Sequence, residues 1–273
     1  VSEWHAELEL WFERNNGMTR LMRRRHVGPL SVQRPFHPEA DGSAHVYLLH
    51  PPGGIAGGDR LAISSHLGPQ SRAVLTTPGA TKFYRCLQNR SALQTEINVG
   101  AEAICEYLPQ ETIFFDGANA SIATRITLAA GSIYLGWELI SFGRPASGER
   151  FATGRARQRV EIVRDGAPIW FEQFDLSGKS RMTEAPFTFG GRPIFGTMVY
   201  VGPVMEDLAE RMREELGEAA SGVFSVTQLR QVVVCRYLGG RMSEGKWLFL
   251  RAWDVLREAG IGKRAVAPRV WAT

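Results

Sequence analysis

The chain has 273 residues, 44% apolar and 22% charged, a globular balance that excludes wholesale disorder and supplies enough chain for a sizeable core. Its formal charge is +4, from 32 basic and 28 acidic residues, and only four of the basic residues are lysines, which does not describe a polycation built to coat nucleic acid. No apolar run approaches the ~18 residues of a membrane span, and no N-terminal stretch has the charged-then-apolar order of an export signal, so a cytoplasmic location is expected.

Apolar alternation dominates the first two hundred residues. Trp4, Ala6, Leu8, Leu10 and Phe12 alternate with His5, Glu7 and Glu9, which is the period of a strand. Short runs of the same kind recur at 44–50, 61–67, 72–77, 92–99, 104–108, 122–128, 133–137, 157–163, 169–176 and 197–201. Gly, Pro, Asn and Asp punctuate them, with no amphipathic helix between, and this spacing predicts a mainly antiparallel β body over about 1–202.

The texture changes near Pro203. Val204, Leu208, Met212 and Leu216 recur every four residues, predicting a helix that Gly217 or Gly222 ends. A strand is expected at 231–237. A second helix is expected from Ser243, as N-cap, to Ala259, with Gly260 as the stop. No linker or repeat divides the chain, so 1–273 reads as one domain whose part from about 203 to 273 carries two helices.

Cys86, Cys105 and Cys235 are odd in number and form no CxxC pair, which argues against a disulfide framework or a zinc knuckle. All six histidines lie in the first quarter, yet none stands two or four residues from another. His45 and His50 come nearest and would face opposite sides of one regular strand. The basic cluster Arg20, Arg23, Arg24 and Arg25 suits phosphate or a carboxylate surface, but no aromatic interleaving or nucleic-acid motif accompanies it.

The most unusual segment runs from His50 through Pro51, Pro52, Gly53 and Gly54 to Gly57, Gly58 and Asp59. Prolines fix the chain and glycine pairs then free it, so backbone can approach a ligand or another strand closely. The segment is neither a Walker A loop nor GxGxxG. It reads either as a tight connection or as an anion cradle, the latter with Lys82 and Arg85 of Leu75–Arg85 (LTTPGATKFYR). A third segment, Gly136–Phe151 (GWELISFGRPASGERF), holds Glu138 and Glu149, the latter placed to pair with Arg144 or Arg150. GxSxG and HExxH are absent.

Together these segments resemble the urease accessory protein D family (UreD/UreH). The resemblance rests on HPPGGIAGGDRL at 50–61, LTTPGATKFYR at 75–85, Tyr107–Pro109 with Phe114-Phe115, the segment at 136–151, and PRVWAT at 268–273. They run in family order over most of the chain. The one departure is Cys86, where the family often has a small residue after the Tyr-Arg pair. The resemblance implies a mainly β fold, a long helix-like stack of antiparallel and mixed strands with two C-terminal α-helices. It implies a non-enzymatic scaffold that binds UreF and, through it, the GTPase UreG, in a dimeric assembly formed by the UreF partner. That assembly docks on urease apoprotein and assists delivery of Ni²⁺, with no tightly bound cofactor, no nucleic acid and no membrane.

Family models route transient Ni²⁺ through an internal tunnel. Isolated carboxylates suit transit better than a complete His/Cys cage. The candidates are Asp59, Glu138 and Glu172, the last flanked by aromatics in Trp170–Phe174. Partner-contact candidates are Trp247 and Trp253 on the second helix, and Arg269 and Trp271 in the tail. Two other readings stay open: an enzyme whose glycine loop binds a phosphorylated small molecule, and a purely structural adaptor without a metal path.

Overall fold

The computed structural model describes residues 4–86 and 88–272. Strands β1 (His5–Asn15) and β2 (Met18–Val27) form a hairpin that begins one sheet. A two-residue strand β3 (Ser31–Val32) pairs with β4 (Ala44–Leu49), which begins a second, facing sheet. From there the chain winds as a coil. It passes to β5 (Arg60–Leu67) in the first sheet, β6 (Arg72–Thr76) and β7 (Thr81–Phe83) in the second, and β8 (Ser91–Val99) in the first. Next come β9 (Ile104–Tyr107) and β10 (Thr112–Phe114) in the second sheet, β11 (Asn119–Leu128) in the first and β12 (Ile133–Arg144) in the second. A short β13 (Glu149–Arg150) folds back on β12, and the hairpin β14 (Arg155–Arg164) and β15 (Ala167–Ser177) closes the first sheet.

The body is therefore a solenoid-like stack, and most of its pairings are parallel, not antiparallel as the turn spacing predicted. β1, β5, β8, β11 and β14 run parallel in one sheet, as do β4, β6, β9 and β12 in the other. Parallel neighbours in one sheet ordinarily need a long crossover. Here the intervening strand lies in the opposite sheet and serves as that crossover, so the turns at 68–71, 100–103, 115–118 and 129–132 stay short and imitate hairpins.

Equivalent residues of successive coils stack in rows. Leu10, Ser65, Ile97, Ile126 and Ile162 form one inward row, and all five are buried. A second row runs along the narrow side, where Ile55 bridges Phe83, Phe83 pairs with Phe114, and Phe114 pairs with Phe142. The rings of Phe83 and Phe114 stack at 5.2 Å and those of Phe114 and Phe142 at 6.1 Å. Each of these side chains is at most 5% exposed, so the row closes the coil as a dry wall.

Beyond β15 the second sheet continues alone, with β16 (Ile194–Val201), β17 (Val223–Leu229) and β18 (Val232–Gly239), all antiparallel. Helix α1 (Leu208–Leu216) precedes β17, and α2 (Met242–Ile261) follows β18. α1 starts later than its apolar pattern predicted. The segment before it is held in a turn, with the Tyr200 hydroxyl donating to the Pro203 carbonyl at 2.9 Å. Both helices cover the outer face of the second sheet, burying Leu208, Met212, Leu216, Leu248, Phe249, Ala252, Trp253 and Leu256 against Leu135, Trp137, Tyr200 and Cys235. β12 is thus buried on both faces. No helix among the described residues is long and apolar enough to cross a membrane.

A buried ionic cluster fastens α2 to the stack. Arg257 is 1% exposed; its Nε donates to Glu106 of β9 at 3.1 Å and its Nη2 to both oxygens of Glu39 at 2.8 Å. Trp253 Nε1 adds a 2.6 Å bond to Glu106, and His45 Nε2 lies 2.8 Å from Glu39. Burial pushes Glu106 upward against the pull of Arg257. Glu39 ends below the ordinary carboxylate range, because His45 and Arg257 together overcome its desolvation.

Removing one partner of such a cluster leaves buried charge uncompensated. Arg257→Met is expected to destabilise the fold by about 3–5 kcal/mol at neutral pH. The deficit should shrink as the pH falls and the two stranded carboxylates take up protons, which urea unfolding at several pH values would show. Phe114→Ala, which opens a gap in the aromatic wall, should cost about 3–5 kcal/mol in the same assay, without that pH dependence.

Candidate functional site

The second sheet is interrupted twice, and prolines stand at both interruptions. Residues 77–80 separate β6 from β7, and 108–111 separate β9 from β10. Pro78 and Pro109 bring no N–H to a ladder, so pairing stops there. The two loops are tied to each other. Thr77 Oγ1 accepts from Gln110 N at 2.9 Å, and Thr81 N donates to the Glu111 carbonyl at 2.9 Å. β12 crosses this opening without a break, and Trp137 anchors it by donating from Nε1 to the Pro109 carbonyl at 2.8 Å. Because side chains alternate along a strand, Trp137 faces the helices and Glu138 faces the interior at the opening.

The opening is one end of a cavity of about 250 Å³ between the sheets. His50, Gly53 and Gly54 line it at the glycine loop, Thr77–Lys82 at the sheet interruption, and Leu61, Leu93 and Ile122 on the facing sheet, with Tyr107 and Glu138 deeper in. Burial holds the His50 imidazole below its ordinary pKa, against the opposing charge of Asp59.

Glu138 also lines a second, much smaller cavity of about 20 Å³, together with Thr124, Gln158, Trp170, Glu172 and Thr197. That is room for about one water. Thr124 Oγ1 donates to Glu138 Oε1 at 2.6 Å, and the Gln158 amide donates to Oε2. Among the described residues no cation pairs with this carboxylate. Burial raises its pKa, the bonds from Thr124 and Gln158 pull it back in part, and the charge of Glu172 adds to the rise. On the far side, Glu172 accepts from Thr197 Oγ1 at 2.8 Å and from Arg236 Nη2 at 2.7 Å. Two hydrogen-bonding atoms of residues lining this cavity, Gln158 Oε1 and Trp170 Nε1, are buried without a protein partner. Such groups are costly to bury unless water or an ion meets them.

Of the three carboxylates chosen from the sequence, the structure brings together Glu138 and Glu172. Asp59 stands apart and lines neither cavity. Its Oδ1 accepts from Trp4 N at 3.1 Å and its Oδ2 from Ala56 N at 2.9 Å, so it fixes the glycine loop. Gly54 and Gly57 serve close packing within the chain. A Cβ at Gly54 would fall 2.3 Å from the Tyr84 ring, and one at Gly57 would fall 1.9 Å from Cys86 Sγ. The space an anion cradle would need above these two glycines is filled by Tyr84 and Cys86. Pro51, Pro52 and Gly53 form the exposed turn leading in, while Gly58 takes a φ of +93° before Asp59. Glu149 pairs with Arg144, whose Nε donates at 2.9 Å.

The partner-contact candidates divide. Trp247 is 51% exposed, with the Arg251 guanidinium 5.0 Å from its ring centre. Arg269 is exposed as well. Trp253 is 1% exposed and is corrected to a core residue, since its indole N–H is consumed by Glu106. Trp271 packs between Trp137 and Trp253 and donates to Thr76 Oγ1 at 3.0 Å, so the tail is fastened over the sheet interruption. Thr273 lies outside the described residues. Thr124, Gln158, Trp170 and Arg236 were missed from the sequence. Thr124 and Gln158 carried a signal: each is a polar residue at an inward position of an alternating strand, between Ile122 and Ile126 and between Ala156 and Val160.

Comparison with known proteins places the chain in a family. The family model described as UreD urease accessory protein matches residues 5–272. Urease accessory protein UreD 2 of Brucella anthropi is 63% identical over 270 residues, covering 99% of this chain and 98% of the relative. Urease accessory protein UreD of a Janthinobacterium species is 42% identical, over 98% of this chain and 91% of the relative. The protein of the same name from an Azoarcus species is 41% identical, over 99% and 94%. A match of this extent, on a fold whose glycine loop and sheet interruption border one interior cavity, makes the chain a member of the UreD family of urease accessory proteins.

Proposed function

We propose that this protein acts in urease maturation as a non-catalytic scaffold and that Ni²⁺, its cargo, passes through the interior by way of Glu138 and Glu172. The observation that carries the reading is Glu138 itself. It is a buried carboxylate with no counter-cation among the described residues, at the junction of a large cavity and a one-water cavity that ends at a second carboxylate. A carboxylate so placed is expensive for folding and gains a rationale if a cation visits it. Oxygen ligands from carboxylate, hydroxyl and amide hold a divalent ion weakly enough to release it. Asp59 keeps the entrance loop in shape instead of meeting the ion.

Within this reading UreF and, through it, UreG are the partners on the supply side, and urease apoprotein is the recipient. The exposed Trp247, with Arg251 across its face, and Arg269 offer anchors for a protein contact. A purely structural adaptor would form the same complexes, so the carboxylates decide between the two.

Glu138→Gln and Glu172→Gln, co-expressed with the urease genes and the other accessory genes, should leave the accessory complex intact. The nickel content of purified urease should fall roughly tenfold or more, the scale of losing a group at a metal site. Unchanged nickel content with both substitutions would favour the adaptor.

A pH experiment separates a functional from a structural carboxylate at position 138. Its folded-state pKa is raised, so the folded state holds the proton more tightly than the unfolded chain. Stability from this group is fully present below the unfolded pKa and is lost as the pH rises through the folded one. Glu138→Gln should therefore unfold at a higher temperature than the native chain at pH 7, with the difference vanishing in acid. Gain of stability with loss of nickel transfer is the expected pairing.

A further inference from the structure

We propose that Arg236 is a charge gate at the Glu172 end of the interior route: its guanidinium occupies the cation position on Glu172 and must leave before a divalent ion can pass. The proposal rests on the route described above and assigns the control of its outer end to a residue of β18.

The geometry begins with a mismatch between the two sheets. The first sheet ends at β15, whereas the second continues through β16 and β18 to β17. Thr197, Arg236 and Ser225 lie side by side in register across those strands. Their shared face is covered by β15 at Thr197, where Glu172 reaches across, and is open at Ser225, which is exposed. Arg236 sits at the border. Its side chain is 47% exposed, while the Glu172 carboxylate it binds is only 12% exposed. Nη2 reaches Glu172 Oε2 at 2.7 Å, and the guanidinium carbon lies 5.5 Å from the centre of the Trp170 ring.

Arg236 touches two of the residues that line the small cavity on this side. Arg236 lies on Trp170 and Glu172, and Glu172 in turn holds Thr197. Behind this cap are the unpartnered Gln158 Oε1 and Trp170 Nε1. A cation arriving from Glu138 meets a carboxylate already neutralised and a positive charge beyond it. Repulsion between like charges a few ångströms apart is weak in water and stronger where solvent is partly excluded. The cap is also easy to lift. An arginine has rotamers that reach solvent, and an arriving divalent ion takes over the neutralisation of Glu172 that the departing guanidinium would otherwise leave uncompensated.

Arg236, on β18 of the second sheet, differs from arginines of the first sheet that pair with carboxylates. Arg125, Arg155 and Arg159 meet carboxylates on its solvent face, at positions that border neither cavity. Arg236 itself lines neither cavity, but the carboxylate it binds and the ring it lies on, Glu172 and Trp170, both line the small one.

The gate can be read without urease. In the full chain, Thr197→Cys in a Cys86→Ser background places a thiol behind Arg236, and Cys105 and Cys235 are buried. The probes are the cationic aminoethyl methanethiosulfonate and its neutral methyl counterpart. In the Arg236→Gln variant the cationic reagent should gain about tenfold or more over the neutral one, the factor that corresponds to ~1.4 kcal/mol of lost repulsion. Arg236→Lys should behave like the parent. Equal acceleration of both reagents, no acceleration, or a lysine variant as fast as the glutamine variant would each overturn the gate. Should Thr197→Cys not fold, Val199→Cys lines the same cavity and takes its place. Failure here with nickel transfer still dependent on Glu138 would remove the gate and leave the route. Success here with nickel transfer indifferent to Glu138 would keep the gate and remove the route.

Discussion

Coil-on-coil stacking of like residues is the constraint on which everything else in this protein rests. Because each strand sits directly on its equivalent in the next coil, an inward position is inward in every coil, and its side chain meets the same row. Apolar rows close the stack; the row from Ile55 through Phe83 and Phe114 to Phe142 is the driest of them. A polar residue in such a row cannot turn outward without shifting the whole register. Thr124, Gln158 and Glu138 are thereby held in the interior, and their only recourse is to one another and to whatever occupies the cavity between them.

The same constraint explains why the opening lies where it does. Pro78 and Pro109 fall at neighbouring places of successive coils, so two small losses of pairing line up and become one gap. β12, with no proline in its length, carries a tryptophan to one side of that gap and a glutamate to the other. The tail then returns Trp271 to Thr76 at its border. Segments that lie more than a hundred residues apart in sequence thus share one structural task, with the Arg257 cluster holding α2 in place above it.

Much of this was legible from residue types. The alternating runs predicted nearly all the long strands, the four-residue spacing found α1, and α2 was expected from Ser243 to Ala259, inside its observed span, which runs through Gly260 to a left-handed Gly262. Parallel pairing was not legible, because a short turn between facing sheets looks like a hairpin turn. β2 was missed for another reason: as an edge strand exposed over Arg20 and 22–27, its arginines mask any alternation. β7 and β10 are three residues each and lie within segments that read as turn chemistry. For the site, Asp59, Glu138 and Glu172 stood out as carboxylates of the segments that carry the resemblance, and Glu172 also by its aromatic neighbours. Only the two backbone N–H groups on the oxygens of Asp59 showed a different role for it. Arg236 could not be found in advance, since its partner lies 64 residues away and the end of the first sheet is not written in any local pattern.

Anomalous diffraction at the nickel edge, from crystals of the chain soaked in Ni²⁺, tests the central claim most directly. The account predicts a nickel peak inside the protein, in the space bounded by Glu138, Gln158 and Glu172 and absent from the Glu138→Gln variant. Nickel confined to surface histidines, with the interior unchanged between native and variant crystals, would contradict it.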